Sequence, residues 1–291
     1  MGVGNEPFPG SWAIASGALT RWELRHDYRR ILPDVYVRRG VVLDAAGRAK
    51  AASHWAKGQG VLVGLSAAAL HGCRWLDPEA SAEITLPTPR HAPAGIVSRR
   101  ELIADHEMCW IDGFRVTNAA RTGFDLGRRH DRIPAVILLD ALCGATGTDP
   151  AQIAALADRR RGARGVRRLR ELLDLVDGGA ESPQETRTRL MLIDDGLPRP
   201  TTQIRIRDTT GRVVARADLG WEPWRVAVEY DGAHHWNDAA QRAWDIERAE
   251  LVRELGWRMV RVSSAQLRTR PWMICDRVRA ALAASGAPTE H

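Results

Sequence analysis

The chain has 291 residues, 44% of them hydrophobic, with a formal charge of +6 and a pI near 9.7. That length suits two domains, each able to bury a core, and the composition is that of ordinary globular protein. No run of about 18 apolar residues occurs, and MGVGNEPFPGSWAIASG has no basic segment before an apolar one. A membrane span is therefore excluded, and a soluble, cytoplasmic protein is expected.

From the amino-terminus, Thr20 is placed to cap a short helix within GALTRWELRHDYRRILPDVYVRRG, and Asp34 to Arg38 alternates as a strand until Gly40. Residues 10–45 thus read as the start of a winged helix. Helical patterns follow over 47–72, with an apolar stretch from Val61 to Leu65 and a second helix from Ser66, as N-cap, to His71. Short strands around a Pro-rich loop are expected over 82–100, then helices from Thr117 to Leu126 and Ile133 to Leu142. Residues 46–150 are therefore mixed α/β.

The next segment, 158–177, is predicted to be one Arg-rich helix with Val166, Leu169, Leu172, Leu173 and Val176 on one face. Seven arginines lie between Arg159 and Arg170. Among them Arg160, Arg161, Arg164, Arg167 and Arg168 are candidate phosphate contacts, although such a run also reads as a solvated helix face. Lysine occurs only at Lys50 and Lys57. The arginine excess suits a nucleic-acid partner, but a GC-rich coding sequence produces it as well. Gly178, Gly179 and Ala180 open a linker over 178–183. The domains are then 1–177 and 184–285, with a tail at 286–291.

In the second domain the pattern predicts a helix over 184–196, a strand from Gln203 to Arg207, and a turn at Asp208 to Arg212. Strands from Val213 to Leu219 and Arg225 to Asp231 complete an antiparallel meander. A helix over 238–255, a strand from Trp257 to Val262 and a helix from Trp272 to Ala284 end the chain. The fold class is α/β in the broad sense (α+β), and the order α-β-β-β-α-β-α is that of a restriction-endonuclease-like core, a central mixed sheet flanked by helices.

Side chains two apart on a strand share a face, so Glu229 and Asp231 point together. Asp218, on the preceding strand, comes beside them across the hairpin. Such carboxylates suit Mg2+ or Mn2+, which take oxygen ligands and activate water at a phosphate. Just past the strand, Gly232 permits a turn that aims His234 or His235 at the acids. The same acids also read as a surface pair neutralised by Arg216 and Arg248. Trp221, Trp224, Trp236 and Trp244 suit either stacking on a base or the core.

Other chemistries fare worse. Cys73, Cys109, Cys143 and Cys275 form no C-x-x-C pair and read as reduced core thiols. Ser66, His71 and Asp125 lack the glycine pattern of a nucleophile elbow, so a hydrolase triad is not expected.

The pieces ESPQETRTRL, GLPRPTTQIRI, ARADLGW, VAVEYDGAHHW, WDIERAELVRELGW and RMVRV carry a family resemblance. Residues 181–262 resemble the endonuclease-like domain of unknown function 559 family, relatives of the very-short-patch-repair endonucleases in the PD-(D/E)XK superfamily. The resemblance implies that Asp218 and Glu229 are metal ligands. Asp231 stands where the superfamily has lysine, and the resemblance gives the proton-handling role to His235, with His234 second. It also makes Glu185 a helix glutamate assisting the metal, and Gln203 and Arg248 supporting residues. GALTRWELR, PDVYVRRG, GLSAAALHG and FRVTNAARTGFDL make residues 12–127 resemble AbiEi-type antitoxins and regulators. Only ten residues separate Leu24 from Val35, so the winged helix is truncated and has no room for a full recognition helix. Two functions are expected in alternative. One is a metal-dependent DNA endonuclease. The other is a DNA-binding or antitoxin-like regulator with an inactive nuclease fold, whose amino-terminal domain engages DNA or a protein partner. Neither implies a small-molecule cofactor.

Overall fold

The computed structural model describes residues 4–88, 91–231 and 239–288, the side chains of 239–246 excepted. The chain divides into two units, Met1–Val176 and Asp177–His291.

The first unit opens with β1 (Phe8–Pro9), α1 (Gly10–Ala15), α2 (Arg21–His26), β2 (Tyr28–Leu32) and β3 (Val35–Arg38), in an antiparallel sheet ordered β1-β3-β2. Thr20 starts α2 through a capping box: its hydroxyl accepts from Glu23 N (3.2 Å) while Glu23 Oε2 accepts from Thr20 N (2.7 Å). Two orphan backbone donors are thereby satisfied. The helix is only six residues long before β2 begins, matching the short spacing in the sequence.

Next come α3 (Ala45–Trp55), β4 (Val61–Leu62), α4 (Gly64–Leu70), β5 (Ala82–Thr85), β6 (Ile96–Arg99), β7 (Met108–Ile111) and β8 (Phe114–Thr117). The sheet order is β6-β5-β4-β8-β7, with parallel pairs β5/β6 and β4/β8. Ala51, Ala52, Leu62, Ile84 and Val116 form its core. Ser66 does not cap α4 as the sequence suggested. The strand-to-helix turn is made at Gly64, with φ at +52°, and the N-cap is Val63. Ser66 therefore lies inside the helix, where its buried hydroxyl accepts from Glu83 N (2.8 Å).

Four helices complete the unit: α5 (Ala119–Arg129), α6 (Arg132–Thr146), α7 (Pro150–Arg159) and α8 (Val166–Leu173). The single Arg-rich helix expected over 158–177 is thus two. The chain leaves α7 after Arg159, and Gly165, in the left-handed region (φ +82°), starts α8. Gly123 and Gly127 lie one turn apart on α5. A methyl group at either would collide, with Ile153 of α7 at one and Leu169 of α8 at the other. Glycine at these positions lets α7 and α8 lie close against α5.

The second unit contains α9 (Pro183–Asp194), β9 (Thr201–Arg207), β10 (Val213–Trp221), β11 (Val226–Asp231), α10 (Ala239–Glu254), β12 (Arg258–Ser263), α11 (Ser264–Thr269) and α12 (Pro271–Ala283). Its sheet order is β12-β11-β10-β9, with β9, β10 and β11 antiparallel and β12 parallel to β11. Asp208 fixes the first hairpin by accepting from Thr210 N (2.8 Å) and Arg212 N (3.0 Å). Leu192, Leu219, Val228, Val260, Val262 and Ile274 pack the core. α11, capped by Ser263 with Gln266, is an addition to the expected element order. The α+β class read from the sequence holds in both units. Among the described residues, no helix is long and apolar enough to cross a membrane.

Candidate functional site

In the second unit, antiparallel pairing sets Leu219 opposite Val228, which makes Asp218 and Glu229 the next positions along the two strands. Asp218 Oδ2 accepts a 2.6 Å hydrogen bond from Tyr230 N. Burial disfavours its charged form, and the negative charges of Glu185 and Glu229 add to that. Together they outweigh the Tyr230 hydrogen bond and push the carboxyl up to about 6.

Glu185 lies buried in the first turn of α9, where Ser182 caps the helix by accepting from Glu185 N (3.2 Å). Its Oε2 accepts from Glu181 N and from Gln203 Nε2, both at 2.9 Å. Gln203 is held at φ +53°, a conformation rare for a non-glycine residue and a sign that its surroundings constrain it. Glu229 Oε1 accepts from Arg248 Nη2 at 2.6 Å. Asp218, Glu185 and Glu229 thus share one field, with Gln203 and Arg248 holding two of them.

Not every residue singled out from the sequence joins this group. Asp231 is exposed at the end of β11, in register with Ser263. Arg216 pairs with Glu181 (2.7 and 2.8 Å) rather than with Glu229 or Asp231, and its charge acts on Asp218 only as a minor lowering influence. His234, His235 and Trp236 lie outside the described residues, as does the side chain of Trp244. Trp221 belongs to the core, its indole N–H donating to the Pro198 carbonyl (2.9 Å). Trp224 packs half-buried on the same core. Among the described residues, no three His, Cys, Asp or Glu side chains are grouped closely enough to hold a metal.

The first unit holds a charged cluster that sequence reasoning missed. Arg121, with a side chain only 1% exposed, donates to Asp125 (3.1 Å), Glu107 (2.6 Å) and Glu101 (2.7 Å). Glu101 also pairs with Arg128 and with Arg129 (2.8 Å). Burial alone raises the Glu101 carboxyl, but Arg128 and Arg129 outweigh it and hold it down at about 2. Asp125 goes the other way: burial prevails over its arginines and lifts it above the usual carboxylate range. The signal in the sequence was the spacing of Arg121, Asp125, Arg128 and Arg129, which puts them on one helical face.

This cluster engages one of the arginines singled out from the sequence. Arg160, a candidate phosphate contact, is tied to Glu107 (2.7 and 2.8 Å). Arg161 and Arg164 are exposed, and Arg168 donates to the Arg128 carbonyl (3.1 Å). The absence of a triad is as expected: Ser66 serves Glu83, His71 Nε2 donates to the Thr117 carbonyl (2.8 Å), and Asp125 is claimed by arginines. All four cysteines are free. Burial pushes the Cys73 and Cys143 thiols up to about 12 and Cys275 to about 11, so they are inert.

Comparison with known proteins bears on both units. Residues 59–175 match the AbiEi antitoxin C-terminal domain family. Two proteins of Mycobacterium tuberculosis are similar over most of the chain: uncharacterized protein Rv2248 of strain ATCC 25618 / H37Rv and uncharacterized protein MT2308 of strain CDC 1551 / Oshkosh. Each is 31% identical over 238 residues, covering 81% of this chain and 86% of the relative. The similarity therefore extends well beyond the antitoxin domain.

Proposed function

We propose, from the premise that this chain belongs to one family with the two mycobacterial proteins and carries an AbiEi-type antitoxin domain, that it is a DNA-binding regulator of antitoxin type. The match over residues 59–175 carries this reading. It spans the five-stranded sheet and the helices packed behind it. The small sheet before it presents α2 with Arg21, Trp22 and Arg25 exposed, and Trp22 stacks on His26 at 4.2 Å between ring centres. A basic, aromatic helix surface suits a phosphate backbone, while six residues are too short for major-groove reading.

Fluorescence anisotropy with the duplex preceding the chain's own reading frame tests the reading. Binding is expected at low salt, and Arg21→Ala with Arg25→Ala should weaken it about tenfold. A wild-type protein that leaves this duplex unbound at low salt sinks it.

The carboxylate grouping favours a second reading for the other unit, a metal-dependent phosphodiesterase of the very-short-patch-repair endonuclease type. Asp218 and Glu229 are the ligands Mg2+ or Mn2+ would take. Two carboxylates meet the usual need of magnesium, and a cation offsets the burial, and the lesser repulsion from Glu185 and Glu229, that lift Asp218. When bound, the metal supplies charge neutralisation at the phosphate and an acidified water. Glu185 and Gln203 position this end of the sheet, Arg248 holds Glu229, and His235, with His234 second, takes the proton. Asp231 stands in place of the usual lysine. Labelled single-stranded, double-stranded and mismatched DNA should be cut with Mg2+ or Mn2+ but not with EDTA. Asp218→Ala and Glu229→Ala should each slow cutting at least about 100-fold. If the wild type binds DNA and cuts none of these substrates, the unit is a binding platform and the regulator reading stands alone.

A further inference from the structure

The first unit contains a cavity of about 1010 Å³ built between the end of α5, the start of α8 and the strand end at Arg99. Arg99, Arg128 and Arg129 form its inner wall. Arg164, Arg167 and Arg168 form its outer wall, and the acids lining it are Glu101, Asp131 and Glu171. Six arginines face three carboxylates, and no lysine takes part.

The two walls differ in how they are held. Arg128 and Arg129 are fixed by Asp125 behind the recess and by Glu101 at its lining, and Arg99 by Glu83. Guanidinium groups immobilised in this way lose little conformational freedom when a ligand arrives. Of the outer arginines Arg167 is 94% exposed, whereas Arg168 is held by donating to the Arg128 carbonyl (3.1 Å) and lies 3.5 Å from the exposed Asp131.

Several donors remain unsatisfied. Among the described residues, Arg99 Nε, Arg168 Nε and Arg129 Nη1 are buried without a hydrogen-bond partner, whereas Arg129 Nη2 faces Glu101 at 2.8 Å. Arg129 Nη1 keeps only a long ion pair, 3.6 Å from Glu83. Buried N–H groups without an acceptor are costly and leave positive charge behind the recess, while the exposed Arg164 and Arg167 forks are the donors an oxyanion there would meet first. α8 adds to this, because its N-cap is Gly165, which has no side chain to accept from the first helical N–H groups.

We propose that this cavity is a binding site for phosphoryl oxyanions, shaped for a compact polyphosphate group such as a nucleotide carries. Arginine forks match phosphate oxygens bidentately. The volume lies at the upper end of small-ligand pockets and exceeds what a single phosphate needs. The other source of the same chemistry is the backbone of nucleic acid, which lies across a surface rather than filling a recess. The site is independent of the carboxylate grouping in the second unit and of whether that unit cuts DNA.

Isothermal titration calorimetry of the full chain with inorganic triphosphate in about 50 mM salt tests the proposal. Binding should be saturable, and the triple variant Arg164→Gln, Arg167→Gln, Arg168→Gln should weaken it at least about tenfold. The double variant Arg164→Gln, Arg167→Gln removes only exposed side chains and should show a smaller loss in the same direction. A charge-matched control, Arg30→Gln, Arg38→Gln, Arg74→Gln, should bind like the wild type. No binding at about 1 mM triphosphate overturns the proposal, as does equal weakening by the control and cavity variants. Repeating the titration with bound duplex separates the sources. Triphosphate that displaces the duplex assigns the cavity to backbone phosphates, and binding alongside it assigns a free phosphate ester.

Discussion

Arg121→Ala should destabilise the amino-terminal unit by about 3–5 kcal/mol, measured by denaturant unfolding at neutral pH. Among the described residues, the arginine is the only cation that touches Glu101, Glu107 and Asp125 together. The side chains of Glu107 and Asp125 are 4% and 0% exposed. Truncating Arg121 leaves their charges in a low-dielectric interior with fewer donors, a far larger penalty than the loss of a surface pair. Arg121→Lys should recover little, because one ammonium cannot reproduce a planar fork aimed at three carboxylates. A loss below about 1 kcal/mol for the alanine variant contradicts this account, since it means that water satisfies the acids.

The cluster also sets a pH response. Glu101 has a folded value of about 2, below its ordinary 4.5. Its stabilising contribution is therefore complete above pH 4.5 and is lost as pH falls toward 2. Asp125 is raised, so its contribution has the opposite sign: full below its ordinary value and lost as pH rises through the folded one. Arg121→Ala should therefore cost less in acid, where Glu107, which Arg160 and Arg121 hold below its ordinary value against burial, becomes protonated.

Asp218→Asn should stabilise the carboxyl-terminal unit at pH 7.5 by about 2 kcal/mol and have little effect near pH 4. The Asp218 carboxyl is lifted from 3.8 to about 6 by burial and by Glu185 and Glu229. A raised folded value means that its contribution to stability is present below pH 3.8 and lost as pH rises through 6. At neutral pH the fold carries an ionised group that it disfavours. Asparagine removes that charge and can still accept from Tyr230 N, so the hydrogen bond survives in weaker form. Thermal melts of both proteins across pH 4 to 8 measure the difference. Mg2+ should raise the wild-type melting temperature and leave Asp218→Asn unmoved if the second reading of this unit is right. Destabilisation by asparagine at pH 7.5 rules out a carboxylate strained by its neighbours.

What was legible in the sequence is what depends on near neighbours. Thr20 and Glu23 are three residues apart, so their capping box could be read directly, and the Asp208 turn lies within five residues. Asp218 and Glu229 were found because strand periodicity and a short hairpin suffice to put them side by side. The charged cluster required pairings across long separations: Glu107 with Arg160 spans 53 positions. In a chain whose cations are almost all arginine, nothing local distinguishes Arg160, held in an ion pair, from exposed Arg161. Ser66 was misread for a related reason. A serine before a run of alanines is a cap by local rules, but Gly64 moves the helix start and Glu83 N takes the hydroxyl.

Gly123 and Gly127 carry a consequence for the arginine-lined recess. α8 presses on α5 through Leu169 at Gly127, and the same helix carries Arg164, Arg167 and Arg168 at or just before its first turn. The close approach of α8 to α5 thus uses the hydrogen atom of Gly127, where a methyl group would meet the end of the Leu169 side chain. Gly127→Ala puts a methyl group into the Leu169 contact, so the proposed oxyanion site is where any shift of α8 would be read without a gripping residue being altered.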